Sequence, residues 1–210
     1  FFQNTEDIAF MLKNRIVCTK NELLPGSGVS LTENPACEYP QTEELHFVFA
    51  GRIMREKGIF EYIRAAELVR KRYKNAFFHV CGACDGVSES TVHEADEKGI
   101  IIYRGFVRDM REIYKMSVCT VNPTYYPEGM NNVLLESCAC ARPVITTDRA
   151  GCREICSNGV NGFLVKEKDA FDLAEKIERF ILLSREEKRE MGLRGREKVE
   201  REFDRNIVIG

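Results

Sequence analysis

Six short apolar runs, each followed by a helical pattern, predict an α/β fold: a doubly wound, parallel, six-stranded Rossmann-like sheet. Two observations carry this. The run Leu45–Ala50 is apolar-rich along its length rather than alternating, as strands buried on both faces require. Ile59, Phe60, Ile63, Ala66 and Val69 then recur at the spacing of one helix face. The 210 residues suffice for one full-sized domain, or for one domain and a piece of another.

The chain opens with a short helical pattern over Thr5–Lys13, with Thr5 predicted as its cap and Glu6 and Asp7 in the first turn. The opening Phe1-Phe2-Gln3-Asn4 reads as a strand entered midway, so a fragment of a longer protein is expected. Leu24-Pro25-Gly26-Ser27-Gly28-Val29 imitates the start of a dinucleotide fingerprint, but Leu31 stands where the third glycine belongs and no helix pattern follows. It reads as a hinge. The polar stretch Thr32–Glu44, with Pro35 and Pro40, places a domain boundary near residue 40, giving units 1–40 and 41–210.

Beyond that boundary the strand–helix rhythm runs in order. Strand Leu45–Ala50 precedes helix Ile59–Lys74, and strand Ala76–Cys81 precedes helix Glu89–Lys98. Strand Ile100–Tyr103 precedes helix Met110–Met116, for which Asp109 is the predicted cap. Then come strand Val118–Asn122, helix Asn131–Cys140, strand Val144–Thr147 and a short helix near Arg153–Cys156. The turn Asn161-Gly162 leads into strand Phe163–Val165, and Asp169 caps a helix over Ala170–Leu183. Ser184 and Glu187 have the spacing of a capping box that opens the last helix.

Bulk properties exclude several classes. A net charge of −2 gives no reason to expect nucleic acid or an anionic membrane as a general partner. No apolar run approaches the roughly 18 residues of a membrane span. Nine cysteines is an odd number, and Cys18, Cys81, Cys119, Cys138 and Cys140 lie in apolar patterns where a reduced thiol serves as a small hydrophobe. A cytoplasmic protein with free thiols is expected. Cys81-Gly-Ala-Cys84 has half the spacing of a zinc or redox site but lacks a second pair or a His cluster. No metal ligands are assigned, and no cofactor is expected.

Ligands of doubly wound sheets bind beyond the carboxyl ends of the strands, so the loops there matter most. After the first strand comes Gly51-Arg52-Ile53-Met54-Arg55-Glu56-Lys57-Gly58, with three cations just ahead of a helix start. Cations are unfavourable at that end of a helix dipole unless an anion binds between them. The loop after the fourth strand places Glu128 at its mouth and Glu136 eight residues on, about two turns into the next helix. Between them, Gly129 admits close approach of a ligand, and the N–H groups of Met130, Asn131 and Asn132 are expected to face outward as free donors. Cations and donors could grip a diphosphate, and the two carboxylates could accept from sugar hydroxyls.

These stretches resemble the GT-B glycosyltransferases of family 4, over nearly the whole chain. The matching residues are Phe49-Ala50-Gly51-Arg52 with Glu56-Lys57-Gly58, Gly105-Phe106-Val107, Glu128-Gly129 with Glu136, Arg142-Pro143-Val144-Ile145-Thr146-Thr147-Asp148 and Asn158–Val165. The wording Glu-Gly-Met-Asn-Asn-Val-Leu-Leu-Glu and Thr-Thr-Asp-Arg-Ala-Gly-Cys-Arg-Glu is similar to the capsular-polysaccharide branch.

The resemblance implies the C-terminal, donor-binding half of a GT-B fold, with residues 1–40 closing the acceptor domain. It implies that Arg52 and Lys57 stabilise a diphosphate leaving group and that Glu128 holds the donor sugar. It further implies that Gly51, Phe106, Val107, Gly129, Met130, Asn131, Asn132 and Glu136 bind the donor, with Glu136 on the ribose. Retaining, metal-free transfer of a hexose-type sugar from a nucleotide-diphosphate sugar is implied, with UDP the default nucleotide, to a glycan or lipid-linked acceptor. The implied place is the cytoplasm or the inner face of the membrane, where the full-length protein could make peripheral contact. The sequence has no Asp-x-Asp pair for a metal-bound diphosphate. Departures include the loop Gly82-Ala83-Cys84-Asp85-Gly86, which lacks a closely following second glycine, and polar Asn132. His46, His79 and His93 fall in no matched motif and are read as structural or exposed. A non-catalytic nucleotide-sugar-binding module and a sugar-nucleotide epimerase of the same architecture are the competing readings.

Overall fold

The computed structural model describes residues 2–16, 24 and 26–209. Cys18 and Pro25 lie outside them. Its six strands are β1 (Leu45–Ala50), β2 (Ala76–Cys81), β3 (Ile102–Tyr103), β4 (Cys119–Asn122), β5 (Val144–Thr147) and β6 (Gly162–Val165). All pairings are parallel, in the order β3-β2-β1-β4-β5-β6. The order reverses between β1 and β4, which makes that junction the switch point where a crevice opens at the strand ends.

The helices are α1 (Thr5–Lys13), α2 (Ile59–Arg72), α3 (Glu89–Glu97), α4 (Arg111–Met116), α5 (Asn132–Ala139), α6 (Ala170–Leu182), α7 (Arg185–Glu202) and α8 (Arg205–Ile209). Alternate β1 residues face opposite layers, as the period of a strand dictates. Phe47 and Phe49 join Tyr62 of α2 and Phe180 of α6 in the main core. Val48 and Ala50 face Ile113 of α4, while α5 and α7 bury Leu134, Leu135 and Val199 together. Helices therefore cover both faces of the sheet, as predicted.

Several predicted boundaries shift for local reasons. Asn4, not Thr5, caps α1: its side chain accepts from the Asp7 N–H at 2.8 Å. Strand β3 begins only at Ile102, because the Ile100 and Ile101 N–H groups turn back to the Ala95 carbonyl to close α3. Met110 occupies the cap position of α4, while Asp109 accepts from the Arg111 N–H at 3.1 Å just ahead of it. The expected helix near Arg153–Cys156 is a series of hydrogen-bonded turns within Arg149–Cys156. Asp169 and the Ser184–Glu187 capping box both stand as predicted.

Arg142 ties the segment before β1 to this body. It is fully buried, and its guanidinium donates only to backbone carbonyls. Nε reaches Tyr114 at 2.7 Å, Nη1 reaches Cys37 at 3.1 Å and Ala141 at 3.2 Å, and Nη2 reaches Glu38 at 2.6 Å and Lys115 at 3.2 Å. The planar fork satisfies three chain segments at once, which a lysine could not do. Val29 pairs with Phe203 and Arg205 through its N–H and carbonyl, so the C-terminal turn also holds this segment.

Candidate active site

Two loops meet at the switch point, and a hydrogen-bond chain brings them together. Asn122 at the end of β4 donates to the Ala50 carbonyl at the end of β1 at 3.2 Å. The Tyr125 and Tyr126 N–H groups both donate to the Glu56 carbonyl at 2.8 Å. Glu56 lies in a 3-10 turn, Arg55–Lys57, which the sequence reading did not foresee. The turn ends at Gly58 (φ 80°), where any Cβ would come within 2.2 Å of the Pro123 carbonyl. That close approach lays Lys57 against the loop after β4.

There Lys57 forms an ion pair with Glu128, whose Oε1 also accepts from Thr124 Oγ1 at 3.3 Å. Both charged side chains are mostly buried, at 15% and 12% exposed. The Tyr126 ring lies beneath both cations, with the Arg52 guanidinium 5.5 Å and the Lys57 ammonium 5.2 Å from its centre. Arg55 turns away and stacks on Phe60.

Arg52 also borders a cleft of about 310 Å³. Gly51, Phe106, Val107 and Glu136 line it as well, together with Ala83, Tyr114 and Val133. Phe106 is 77% exposed, so an aromatic face stands ready at the rim. Glu136 Oε2 accepts from the Tyr114 hydroxyl at 3.1 Å. Burial pushes the Glu136 carboxyl above its ordinary range, and the Tyr114 bond partly opposes this. Glu136 is the fifth residue of α5, a little over one turn in rather than two, because the helix begins at Asn132.

The loop between the two carboxylates is more committed than its sequence suggests. The Asn131 N–H donates to the Gly151 carbonyl at 3.0 Å, and its side chain caps α5 by accepting from Leu134. Asn131 is buried and offers no free donor, which corrects that expectation. The Met130 side chain is buried in the core. Asn132 is exposed at the helix start. The space above Gly129 holds the Gln3 side chain, whose Oε1 lies 1.9 Å from where a Cβ would stand.

Sequence reasoning missed Tyr114, Val133 and Tyr126 as members of the site. Tyr126 lies two residues ahead of Glu128 in the same loop and Val133 in the first turn of the next helix, whereas Tyr114 carries no signal beyond a core position in its helix. Among the described residues, no group of three or more His, Cys, Asp or Glu is placed to hold a metal ion. The eight described cysteines are free, and burial pushes the Cys81 thiol, beside the cleft, up to about 11.

A parallel sheet of this order, with a cleft at the ends of β1 and β4 and converging cations and carboxylates, defines a Rossmann-like domain of the GT-B class. The profile of the family Glycosyl transferases group 1 matches residues 44–182, and the chain belongs to that family. It is 32% identical over 166 residues to the capsular polysaccharide biosynthesis glycosyltransferase CapM of Staphylococcus aureus, covering 76% of this chain and 42% of that protein. Sucrose-phosphate synthase from Thermosynechococcus elongatus superposes with a TM-score of 0.81 at 25% identity, covering 99% of this chain and 54% of the other. The C-terminal domain of a group 1 glycosyl transferase (LpcC) from Francisella tularensis superposes at 0.72 with 25% identity, covering 84% of this chain and 99% of that domain. The chain thus spans less than half the length of CapM and nearly all of the isolated C-terminal domain. Among the described residues no helix is long and apolar enough to cross a membrane.

Proposed function

We propose that this chain is the donor-binding half of a retaining glycosyltransferase that acts in cell-surface polysaccharide synthesis. The donor is a nucleotide-diphosphate sugar with UDP as the nucleotide, and the acceptor is a glycan or lipid-linked glycan. The single observation that carries this reading is the position of Arg52. It borders the Glu136 cleft and shares the Tyr126 ring with Lys57, whose partner is Glu128. A nucleoside in the cleft therefore has its diphosphate led toward two cations and its sugar toward a carboxylate.

In this reading Glu136 accepts from the ribose hydroxyls and Phe106 and Val107 flank the base. Arg52 and Lys57 neutralise the charge that grows on the diphosphate as the glycosidic bond breaks, a role that fixed cations perform without reorganisation. Glu128 and the Gly129 and Met130 backbone orient the sugar. The cations take the place of a metal ion, so no metal is required. The kinship with CapM, a capsular polysaccharide biosynthesis glycosyltransferase, supports a surface-polysaccharide product, and the location proposed with it is the cytoplasm, at the inner face of the membrane. Residues 1–40 belong in this reading to the acceptor domain and linker, and the rest to the donor domain. The 210-residue chain binds donor but does not transfer it, because the opposite wall that positions the acceptor and excludes water is the acceptor domain's.

The test is calorimetric titration of UDP and UDP-sugars with EDTA present, followed by incubation with an acceptor lipid extract. Binding without transfer is expected. Loss of binding on adding EDTA would refute metal independence, and no binding of any nucleotide sugar would refute the donor-site reading.

A further inference from the structure

Asn4 is remote in sequence from the loop after β4 yet is buried against it, at 1% exposed. One of its side-chain roles is local. Oδ1 accepts from the Asp7 N–H at 2.8 Å, and Nδ2 donates to Asp7 Oδ2 at 2.9 Å. The second hydrogen on Nδ2 faces two successive carbonyls of the loop, those of Glu128 at 3.5 Å and Gly129 at 3.4 Å. It is shared between them in a three-centre arrangement.

The geometry of the peptide bond gives this contact a consequence. In a planar trans peptide the N–H points opposite to the C=O. Holding the Glu128 and Gly129 carbonyls toward Asn4 aims the N–H groups of Gly129 and Met130 the other way. Neither of those N–H groups donates to a described residue. Two successive free N–H groups aimed to one side form a concavity suited to an anion or a hydroxyl oxygen.

The turn around Gly151 braces the same peptides. A Cβ on Gly151 (φ 81°) would fall 2.8 Å from the Glu128 carbonyl oxygen and 2.9 Å from that of Gly129. Arg153 of that turn pairs with Glu6 of α1, so the brace and the segment carrying Asn4 are themselves joined.

We infer that Asn4 is a positioning residue for the donor site. It aims the Gly129 and Met130 N–H groups at the donor's distal phosphate and sugar, and it holds Glu128 in place beside them. This rests on the donor-site reading above. The uridine end lies in the Glu136 cleft and is untouched by Asn4, so Asn4 governs only the part of the ligand beyond the first phosphate.

The test separates capping from aiming in the 210-residue chain. Asn4→Ser keeps a good helix cap but is too short to reach the carbonyls. Asn4→Asp keeps the cap acceptor and turns an oxygen toward the two carbonyls. Calorimetry compares a nucleotide sugar with its nucleoside monophosphate: UDP-N-acetylglucosamine with UMP, GDP-mannose with GMP, and ADP-glucose with AMP. The comparison uses the pair that the unsubstituted chain binds.

Asn4→Ser is expected to weaken the nucleotide sugar about tenfold, the size of one hydrogen bond, while the monophosphate stays within about twofold. Asn4→Asp is expected to weaken the nucleotide sugar further, with the thermal midpoint and far-ultraviolet dichroism recording any loss of α1. Equal weakening of both ligands, or no weakening of either, overturns the positioning role and leaves the donor site standing. An unsubstituted chain that binds none of the six ligands overturns the donor site and this inference together.

Discussion

Lys57 and Glu128, 71 residues apart in the chain, meet as a mostly buried ion pair at the ends of β1 and β4. Each would be costly alone in that position, since an unpaired charge in a partly desolvated pocket has lost its water without compensation. In the proposed function, a bound diphosphate would give Lys57 a second anion and leave Glu128 free to turn to a hydroxyl.

The first prediction concerns turnover in the protein that carries both domains. Arg52→Ala and Lys57→Ala should each lower kcat by about 10²–10³, as losing an oxyanion donor does. Donor KM should change less, because the cations meet full charge only in the transition state. Steady-state kinetics checks this, and near-normal turnover in both variants would make the cations mere surface charge.

Glu136 should carry the ribose contact. Glu136→Ala is expected to cost about 1.5–3 kcal/mol of nucleotide affinity by calorimetry. Its carboxyl is held above the ordinary range by burial, and only the ionised form is a full acceptor. Affinity should therefore weaken as pH falls, beginning at a higher pH than an ordinary carboxylate would give. Glu136→Gln should flatten that dependence, and an unchanged profile in the Gln variant would remove Glu136 from the ribose.

Arg142 should dominate stability near the linker. Arg142→Ala leaves the carbonyls of Cys37, Glu38 and Tyr114 without their buried donor and should cost at least about 3 kcal/mol. Arg142→Lys should recover little, since one ammonium cannot serve three directions. Urea denaturation at constant m-value measures both, and a loss under about 1 kcal/mol would refute the anchoring role.

His79 should make stability depend on pH. Its Nδ1 accepts from Arg104 Nε at 3.2 Å, and Nε2 faces His46 Nδ1 at 2.9 Å, so it must stay neutral. Burial, with Arg104 and His46 adding to it, lowers its value to about 3 from the ordinary 6.5. The unfolded chain then binds a proton that the folded chain refuses between those values. Stability is full above about pH 6.5 and falls as pH drops toward 3, by at most about 1.4 kcal/mol per pH unit. The urea midpoint should decline from pH 6.5 to 5, and His79→Asn should remove most of that slope. A slope unchanged by the substitution would assign it to other groups.

By itself the sequence determined what depends on neighbours along the chain. Helix Thr5–Lys13 and strands Leu45–Ala50, Ala76–Cys81 and Val144–Thr147 have the limits their apolar patterns predict. The Ser184–Glu187 box lies within four residues and needed no partner elsewhere. The parallel arrangement of the six strands followed too, because strands alternating with helices leave few other ways to cover both faces of a sheet. The loops that carry Arg52 and Glu136 were legible because such sheets open a crevice beyond their strand ends, whereas Gly51, Phe106 and Val107 were marked only by the family resemblance; the fold brings all five to one cleft.

Tertiary structure alone decided which of those groups touch. The Lys57–Glu128 pair, the Tyr126 ring under two cations, the Tyr114 bond to Glu136 and the reach of Asn4 to the Glu128 carbonyl all cross between separate loops and helices. The commitment of the Asn131 N–H to Gly151 was hidden for the same reason. Local patterns set the run of the backbone through a few residues. Contacts between loops depend instead on how far each strand carries its end into the switch point, and on the close approaches at Gly58 and Gly151 that only the folded chain creates.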